Sequence, residues 1–128
     1  SDREAQRLAA RENKADIING VNLGVQDSEV TSILIDLTQR ETMNVSAGFA
    51  KLLLREAKPN MLLRGNSHKF ASFIVLKAPD TPSILFETGY ISNAEDAAFL
   101  SSRDGQSKIA RSVSSAVQSH FARRLARN

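Results

Sequence analysis

Cysteine is absent from the 128-residue sequence. This absence excludes a disulfide framework and a metal site built on thiolates, but it does not fix the cellular compartment. Long apolar runs are also missing, since none approaches the ~20 residues that a membrane-spanning helix requires. No signal peptide is expected, because the first four residues (SDRE) already continue a charged helical pattern. A pattern that is under way at the first residue favours a fragment of a longer protein.

Aromatic residues are scarce, at 5% of the chain, and the net charge is +3. Positive charge gathers near the C-terminus at Arg123, Arg124 and Arg127, where cations interact favourably with a helix dipole. No aromatic residues are interleaved with these arginines to stack on bases, so a solvated helix end is favoured and no nucleic-acid partner is expected. The alternative, a basic nucleic-acid-binding domain, predicts an affinity that falls steeply with salt.

A composition of 41% hydrophobic and 24% charged residues is typical of one soluble globular domain with a core. Apolar spacing and capping residues predict helices over residues 2–19, from 28 to about 58, from 94, and from about 104 to 125. Thr42, Asn44 and Gly48 are poor mid-helix residues, so we expect a break or bend between residues 41 and 46. The predicted core stripes are Val30, Ile33, Leu34, Leu37, Val45, Phe49, Leu52 and Leu53, then Ile109, Val113, Ala116, Val117, Phe121 and Leu125.

Glu87 follows the second of two apolar runs, residues 73–76 and 84–86, which flank a turn with two prolines. Such runs predict strands buried on both faces of a sheet. A carboxylate at the end of a buried strand is unfavourable unless it has a partner or a task. Gly89 follows two residues later, and glycine allows the backbone conformations that other side chains disfavour. Glu87 is therefore either a functional residue or a structural cap of N–H groups around Gly89.

Two strands are too few to complete a sheet that is buried on both faces. Either the missing strands precede Ser1, or the domain is mostly helical with a small sheet. We favour the first alternative. The expected fold is α/β, with helices packed on a mixed sheet of which this chain supplies the C-terminal part.

Three segments carry a resemblance to a known family: residues 75–80 (VLKAPD), 82–85 (PSIL) and 87–93 (ETGYISN). They resemble the C-terminal half of the zinc-dependent N-acetylmuramoyl-L-alanine amidases, the bacterial cell-wall amidases of the AmiC type. The opening residues 1–13 are similar to the segment after the last zinc histidine of those enzymes. The resemblance implies that residues 1–128 form the C-terminal part of one catalytic domain. Residues 1–57 would be a helical insertion, and residues 70–128 would hold strands and C-terminal helices.

The resemblance implies hydrolysis of the amide that joins the lactyl group of N-acetylmuramic acid to L-alanine of the stem peptide. Zn²⁺, held by two histidines and a glutamate, would activate the attacking water. These ligands are expected before Ser1, because neither His68 nor His120 has a second histidine at ligand spacing. Glu87 matches the family's catalytic glutamate, which accepts the proton of the water and passes it to the leaving amine. Its apolar setting is expected to raise its pKa, as this role requires. The isolated chain is expected to be inactive.

The resemblance also implies regulation of a periplasmic, cell-envelope enzyme acting on peptidoglycan. Glu12 is the first candidate for an autoinhibitory zinc ligand from the insertion, and Glu41 is the alternative. A solvent-facing helix carboxylate is an equal interpretation of each. The implied partner is a LytM-type activator. The competing function is a non-enzymatic helical module that regulates or binds a partner, in which Glu87 is structural.

Overall fold

Three α-helices form the regular structure of the part of the chain that the computed structural model describes, which comprises residues 28–65, 67–71, 73, 76 and 78–128. Helix α1 covers Ser28–Ala57, α2 covers Ala94–Ser101 and α3 covers Arg103–Arg127. These bounds confirm three of the four predicted helices. The fourth prediction, a helix over residues 2–19, lies outside the described residues.

The predicted α/β fold with a mixed sheet is wrong for this chain, because the described residues include no strand. Of the first expected strand only Phe73 and Leu76 are described, and the Leu76 N–H donates to the Phe73 carbonyl at 2.9 Å, as in a turn. Residues 84–86 are irregular. A strand needs a neighbour that satisfies its backbone N–H and C=O groups, and the described residues offer none.

Helix α1 is continuous, so the predicted break between residues 41 and 46 is wrong. The Thr42 hydroxyl donates to the Pro79 carbonyl at 2.8 Å, and the Ser46 hydroxyl accepts the N–H of Ser83 at 3.0 Å. The same Ser46 hydroxyl donates to the Thr42 carbonyl one turn earlier at 2.9 Å. The hydrogen bonds to Pro79 and Ser83 offset the low helix propensity of Thr42 and Ser46.

Replacing Ser46 with alanine tests this attachment. The change removes the acceptor of the Ser83 N–H, so we expect a loss of about 1 kcal/mol in the free energy of unfolding. Hydrogen exchange at the Ser83 amide should accelerate. Thr38→Ala is the matched control, because the Thr38 hydroxyl bonds only the Leu34 carbonyl within the described part of the chain. Unchanged exchange at Ser83 in Ser46→Ala would contradict the role of this contact.

The described residues divide into two compact units. The first unit holds residues 28–46, 73, 76 and 78–83, and the second holds residues 47–65, 67–71 and 84–128. The division therefore falls within α1. The candidate site lies entirely in the second unit.

The core of the second unit joins the end of α1 to α3. Leu52 and Leu53 of α1 are buried with Ala116 of α3. The partly buried residues packed against them are Phe49, Ile84, Phe86 and Val113. Only part of each predicted stripe is therefore in the core. Exposed members of the two stripes are Val30, Ile33, Leu37, Val117, Phe121 and Leu125.

A close junction joins α2 to α3. The Ser102 hydroxyl accepts the Gly105 N–H at 2.9 Å and donates to the Phe99 carbonyl at 2.8 Å, so it caps α3 while binding the last turn of α2. Gly105 is buried against this turn: a Cβ atom at position 105 would lie 1.9 Å from the Phe99 carbonyl oxygen. The junction therefore requires glycine at position 105.

None of the helices in the described part of the chain is long and apolar enough to cross a membrane.

Candidate functional site

Glu87 follows a segment in which partly buried and exposed residues alternate. Ile84 and Phe86 are partly buried in the core of the second unit, whereas Leu85 and Glu87 are exposed. The apolar run that suggested a strand is thus a run that packs against helices. Since Phe86 is held by α1 and α3, the backbone immediately before Glu87 is fixed by hydrophobic contacts.

The expected apolar setting of Glu87 is wrong for this chain, because Glu87 is exposed. Among the described residues, its carboxylate has no hydrogen-bond or ion-pair partner. The alternative role as a cap around Gly89 is not observed either. The nearby N–H of Tyr90 donates to the carboxylate of Asp96 at 2.9 Å. Glu87 is therefore a solvent-accessible carboxylate on a backbone that other residues hold.

Asp96 is the charged residue that binds the segment after Glu87. Its Oδ2 accepts from the backbone N–H of Tyr90 at 2.9 Å and from the Arg64 guanidinium at 2.6 Å. The Tyr90 N–H and then the Arg64 hydrogen bond and charge hold the pKa of the Asp96 carboxyl below its ordinary value of 3.8, while desolvation opposes them. Asp96 is therefore a hydrogen-bonded carboxylate at neutral pH.

Gly89 lets the backbone approach Asp96 closely. Its φ of +155° lies in a region that side chains disfavour. A Cβ atom built at Gly89 would lie 3.2 Å from both Cβ and Cγ of Asp96 and 3.3 Å from its Oδ2. The dihedral angle therefore favours glycine here, and an added Cβ would also crowd the Asp96 side chain.

Helix α2 fixes Asp96 itself. The side chain of Asn93 caps the helix and accepts the N–H of Asp96 at 3.0 Å. The Arg64 guanidinium also lies over the Tyr90 ring, 5.0 Å from its centroid. We name this cluster of Arg64, Gly89, Tyr90, Asn93 and Asp96 the Asp96 clamp.

Sequence reasoning predicted a helix start at residue 94 but missed the contacts of Arg64 and Asp96. A cap at Ser92 or Asn93 and the acidic residues that follow predicted the start of α2. This pattern does not reveal that the Asp96 carboxylate turns back to Tyr90. Arg64 stands in a polar loop 32 residues before its partner, and no local pattern pairs the two.

The two histidines contact aromatic rings. His120 lies edge-on to Phe49, with ring centroids 5.5 Å apart and planes at 86°, and to Phe121 at 5.2 Å and 82°. The ring centroids of His68 and Phe70 lie 5.1 Å apart.

Within the described residues, no group of three or more His, Cys, Asp or Glu side chains could hold a metal ion. These residues therefore do not fit a zinc centre, and no catalytic step is assigned to a metal. Glu12 lies outside the described residues, and Glu41 is exposed on α1 in the first unit.

The family model for N-acetylmuramoyl-L-alanine amidase matches residues 8–119. This match includes Glu87, the complete Asp96 clamp and most of α3. Because it covers most of the chain, the chain belongs to this family.

Individual relatives agree with the family match. The chain is 34% identical over 117 residues to N-acetylmuramoyl-L-alanine amidase AmiA of Escherichia coli, covering 91% of this chain and 40% of AmiA. It is 37% identical over 118 residues to N-acetylmuramoyl-L-alanine amidase AmiC of Neisseria meningitidis, covering 91% of this chain and 28% of AmiC. The chain therefore spans less than half the length of these relatives. No solved structure matches it significantly.

Proposed function

We propose that this chain is part of a peptidoglycan amidase that hydrolyses the bond between the lactyl group of N-acetylmuramic acid and L-alanine of the stem peptide. The observation that carries the proposal is the family match over residues 8–119, a span that includes Glu87. The names of the relatives are those of N-acetylmuramoyl-L-alanine amidases. The exposure of Glu87 supports it, because a substrate must reach the carboxylate.

In this proposal Glu87 moves the proton. Its carboxylate takes a proton from the water that attacks the lactyl carbonyl, so Glu87 becomes protonated as the new C–O bond forms. The protonated Glu87 then gives that proton to the alanine nitrogen as the C–N bond breaks. The products are a lactyl carboxylic acid and a free stem-peptide amine, so one molecule of water is consumed for each bond.

Zn²⁺ belongs to the proposal through the family resemblance alone, with its ligands outside the described residues. When bound, it would supply Lewis-acid activation of the water and carbonyl. The periplasmic location and a LytM-type activator are proposed on the same basis. None of these three assignments rests on a contact of the described residues.

We further propose that Glu12 restrains activity as an autoinhibitory zinc ligand, a role assigned through the resemblance of residues 1–57 to the family's insertion. Glu12→Ala in an enzyme of the relatives' full length should raise basal hydrolysis and reduce the dependence on an activator. Glu41→Ala is the comparison, because Glu41 is the alternative blocking residue. Unchanged basal rates in both variants would show that neither carboxylate restrains the enzyme.

The proposed function is tested by comparing the full-length enzyme with residues 1–128 alone on purified muropeptides. We expect turnover by the full-length enzyme and none by the isolated chain, because the resemblance implies two zinc-binding histidines and neither His68 nor His120 has a second histidine at ligand spacing. Turnover by the isolated chain would contradict the expected position of the zinc ligands. A full-length enzyme without hydrolytic activity, with or without an activator, would favour the non-enzymatic binding module.

A further inference from the structure

The backbone that carries Glu87 is held on both sides. On the N-terminal side, Phe86 packs against the core formed by Leu52, Leu53 and Ala116. On the C-terminal side, the N–H of Tyr90 is bound by Asp96 at 2.9 Å, and Gly89 lies against the same carboxylate. Only Glu87 and Thr88 separate Phe86 from the residues of the Asp96 clamp.

We propose that Asp96, oriented by Arg64, is a positioning residue that sets the direction of the Glu87 carboxylate. The inference rests on the proposed catalytic role of Glu87. Asp96 does not touch Glu87, and it acts through the backbone from Tyr90 to Glu87. A small displacement of a reacting group lowers rates strongly, since proton transfer needs hydrogen-bond distances.

The contacts of Asp96 suit it to this task better than those of an ordinary helix residue. An acidic residue in the first turn of a helix usually stabilises that helix through its dipole or a capping box. The Asp96 carboxylate instead reaches upstream to a backbone N–H outside the helix and to a guanidinium. The lowered pKa of Asp96 agrees with a carboxylate that stays ionised while Glu87 exchanges protons.

Arg64 contributes orientation and charge. Its guanidinium binds Asp96 Oδ2 at 2.6 Å and lies 5.0 Å from the centroid of the Tyr90 ring. The Arg64 side chain therefore contacts both Asp96, which accepts the hydrogen bond, and Tyr90, whose N–H donates it. Loss of Arg64 should loosen the clamp without removing the hydrogen bond from Tyr90 to Asp96.

The first test measures the clamp without reference to activity. In the full-length enzyme, Asp96→Ala should increase the hydrogen-exchange rate of the Tyr90 amide by about tenfold, because the hydrogen-bond acceptor of this amide is removed. Asp96→Asn keeps an acceptor oxygen and should change this rate less. Equal protection of the Tyr90 amide in wild type and Asp96→Ala would overturn the proposal.

The second test separates positioning from general stability. Asp96→Ala should lower kcat for muropeptide hydrolysis by about tenfold to a hundredfold, with KM within about twofold of wild type. Asp96→Asn should recover much of kcat. Glu95→Gln, which changes the neighbouring exposed carboxylate, should leave kcat unchanged. If Asp96→Ala does not fold, Arg64→Ala takes its place, with an expected kcat loss of about tenfold.

A double variant distinguishes the positioning role of Asp96 from the proposed catalytic role of Glu87. If Asp96 acts through Glu87, Glu87→Gln combined with Asp96→Ala should be no slower than Glu87→Gln alone. Fully multiplicative losses, or a normal kcat in Asp96→Ala with a rapidly exchanging Tyr90 amide, would overturn the positioning role. Wild-type activity in Glu87→Gln would overturn the proposed function itself, whatever the exchange experiment shows.

Discussion

Replacing Glu87 with glutamine in the full-length enzyme is expected to lower hydrolysis by about two to four orders of magnitude. Glutamine keeps the size of the side chain but cannot accept and return the proton. The fold should be unaffected, because Glu87 is exposed and its carboxylate has no partner among the described residues. The measurements are the rate of muropeptide hydrolysis and the midpoint of thermal unfolding.

Glu95→Gln is the matched control for this substitution. Glu95 is also an exposed glutamate of the second unit, but it lies on α2. Its replacement should leave both measurements close to wild type. Activity near wild type in Glu87→Gln would contradict the catalytic assignment. Loss of bound zinc in Glu87→Gln would identify Glu87 as a metal ligand instead.

The largest expected effect on stability comes from Gly105→Ala. The new Cβ would lie 1.9 Å from the Phe99 carbonyl oxygen and 2.9 Å from the Ser102 hydroxyl oxygen. Backbone atoms must move to relieve this overlap, and the hydroxyl that caps α3 moves with them. We expect a loss of about 1 to 3 kcal/mol in the free energy of unfolding, measured by urea denaturation of the full-length enzyme.

Gly48→Ala is the control, because it makes the same chemical change inside a helix without the clash. No described atom lies within 4 Å of a Cβ built at Gly48. Alanine is a better helix former than glycine, so this variant should gain about 0.5 to 1 kcal/mol. Opposite signs for the two substitutions would confirm the close α2–α3 junction. Equal effects would show that Gly105 is not constrained by Phe99.

Local signals predicted the helices of the described part of the chain. The acidic first turn after Ser28, the Asn93 cap and the apolar spacing of α3 are set by residues a few positions apart. The continuity of α1 could not be predicted in this way. A helix with Thr42 near its middle is stabilised here by a hydrogen bond from the Thr42 hydroxyl to the Pro79 carbonyl, and these residues are 37 positions apart in the sequence.

The sheet was predicted wrongly because a short apolar run does not distinguish a strand from a segment that packs on helices. Ile84 and Phe86 pack against the core residues of α1 and α3, with Leu85 exposed between them. This alternation of partly buried and exposed residues is also the pattern of a strand.

The site was predicted only in part. Glu87 could be found from its position after this run and from the family resemblance. The Asp96 clamp could not be predicted without the three-dimensional structure, because its residues come from a loop, a turn and the end of a helix.

Mass spectrometry of the products formed in water labelled with oxygen-18 tests most directly the proposed hydrolysis of the lactyl–alanine amide of peptidoglycan. The full-length enzyme should release stem peptides with a free L-alanine amine. One labelled oxygen should enter the lactyl carboxyl of N-acetylmuramic acid, and both products should nearly disappear in Glu87→Gln. Label entering a sugar or a bond within the stem peptide, or no product at all, would contradict the account.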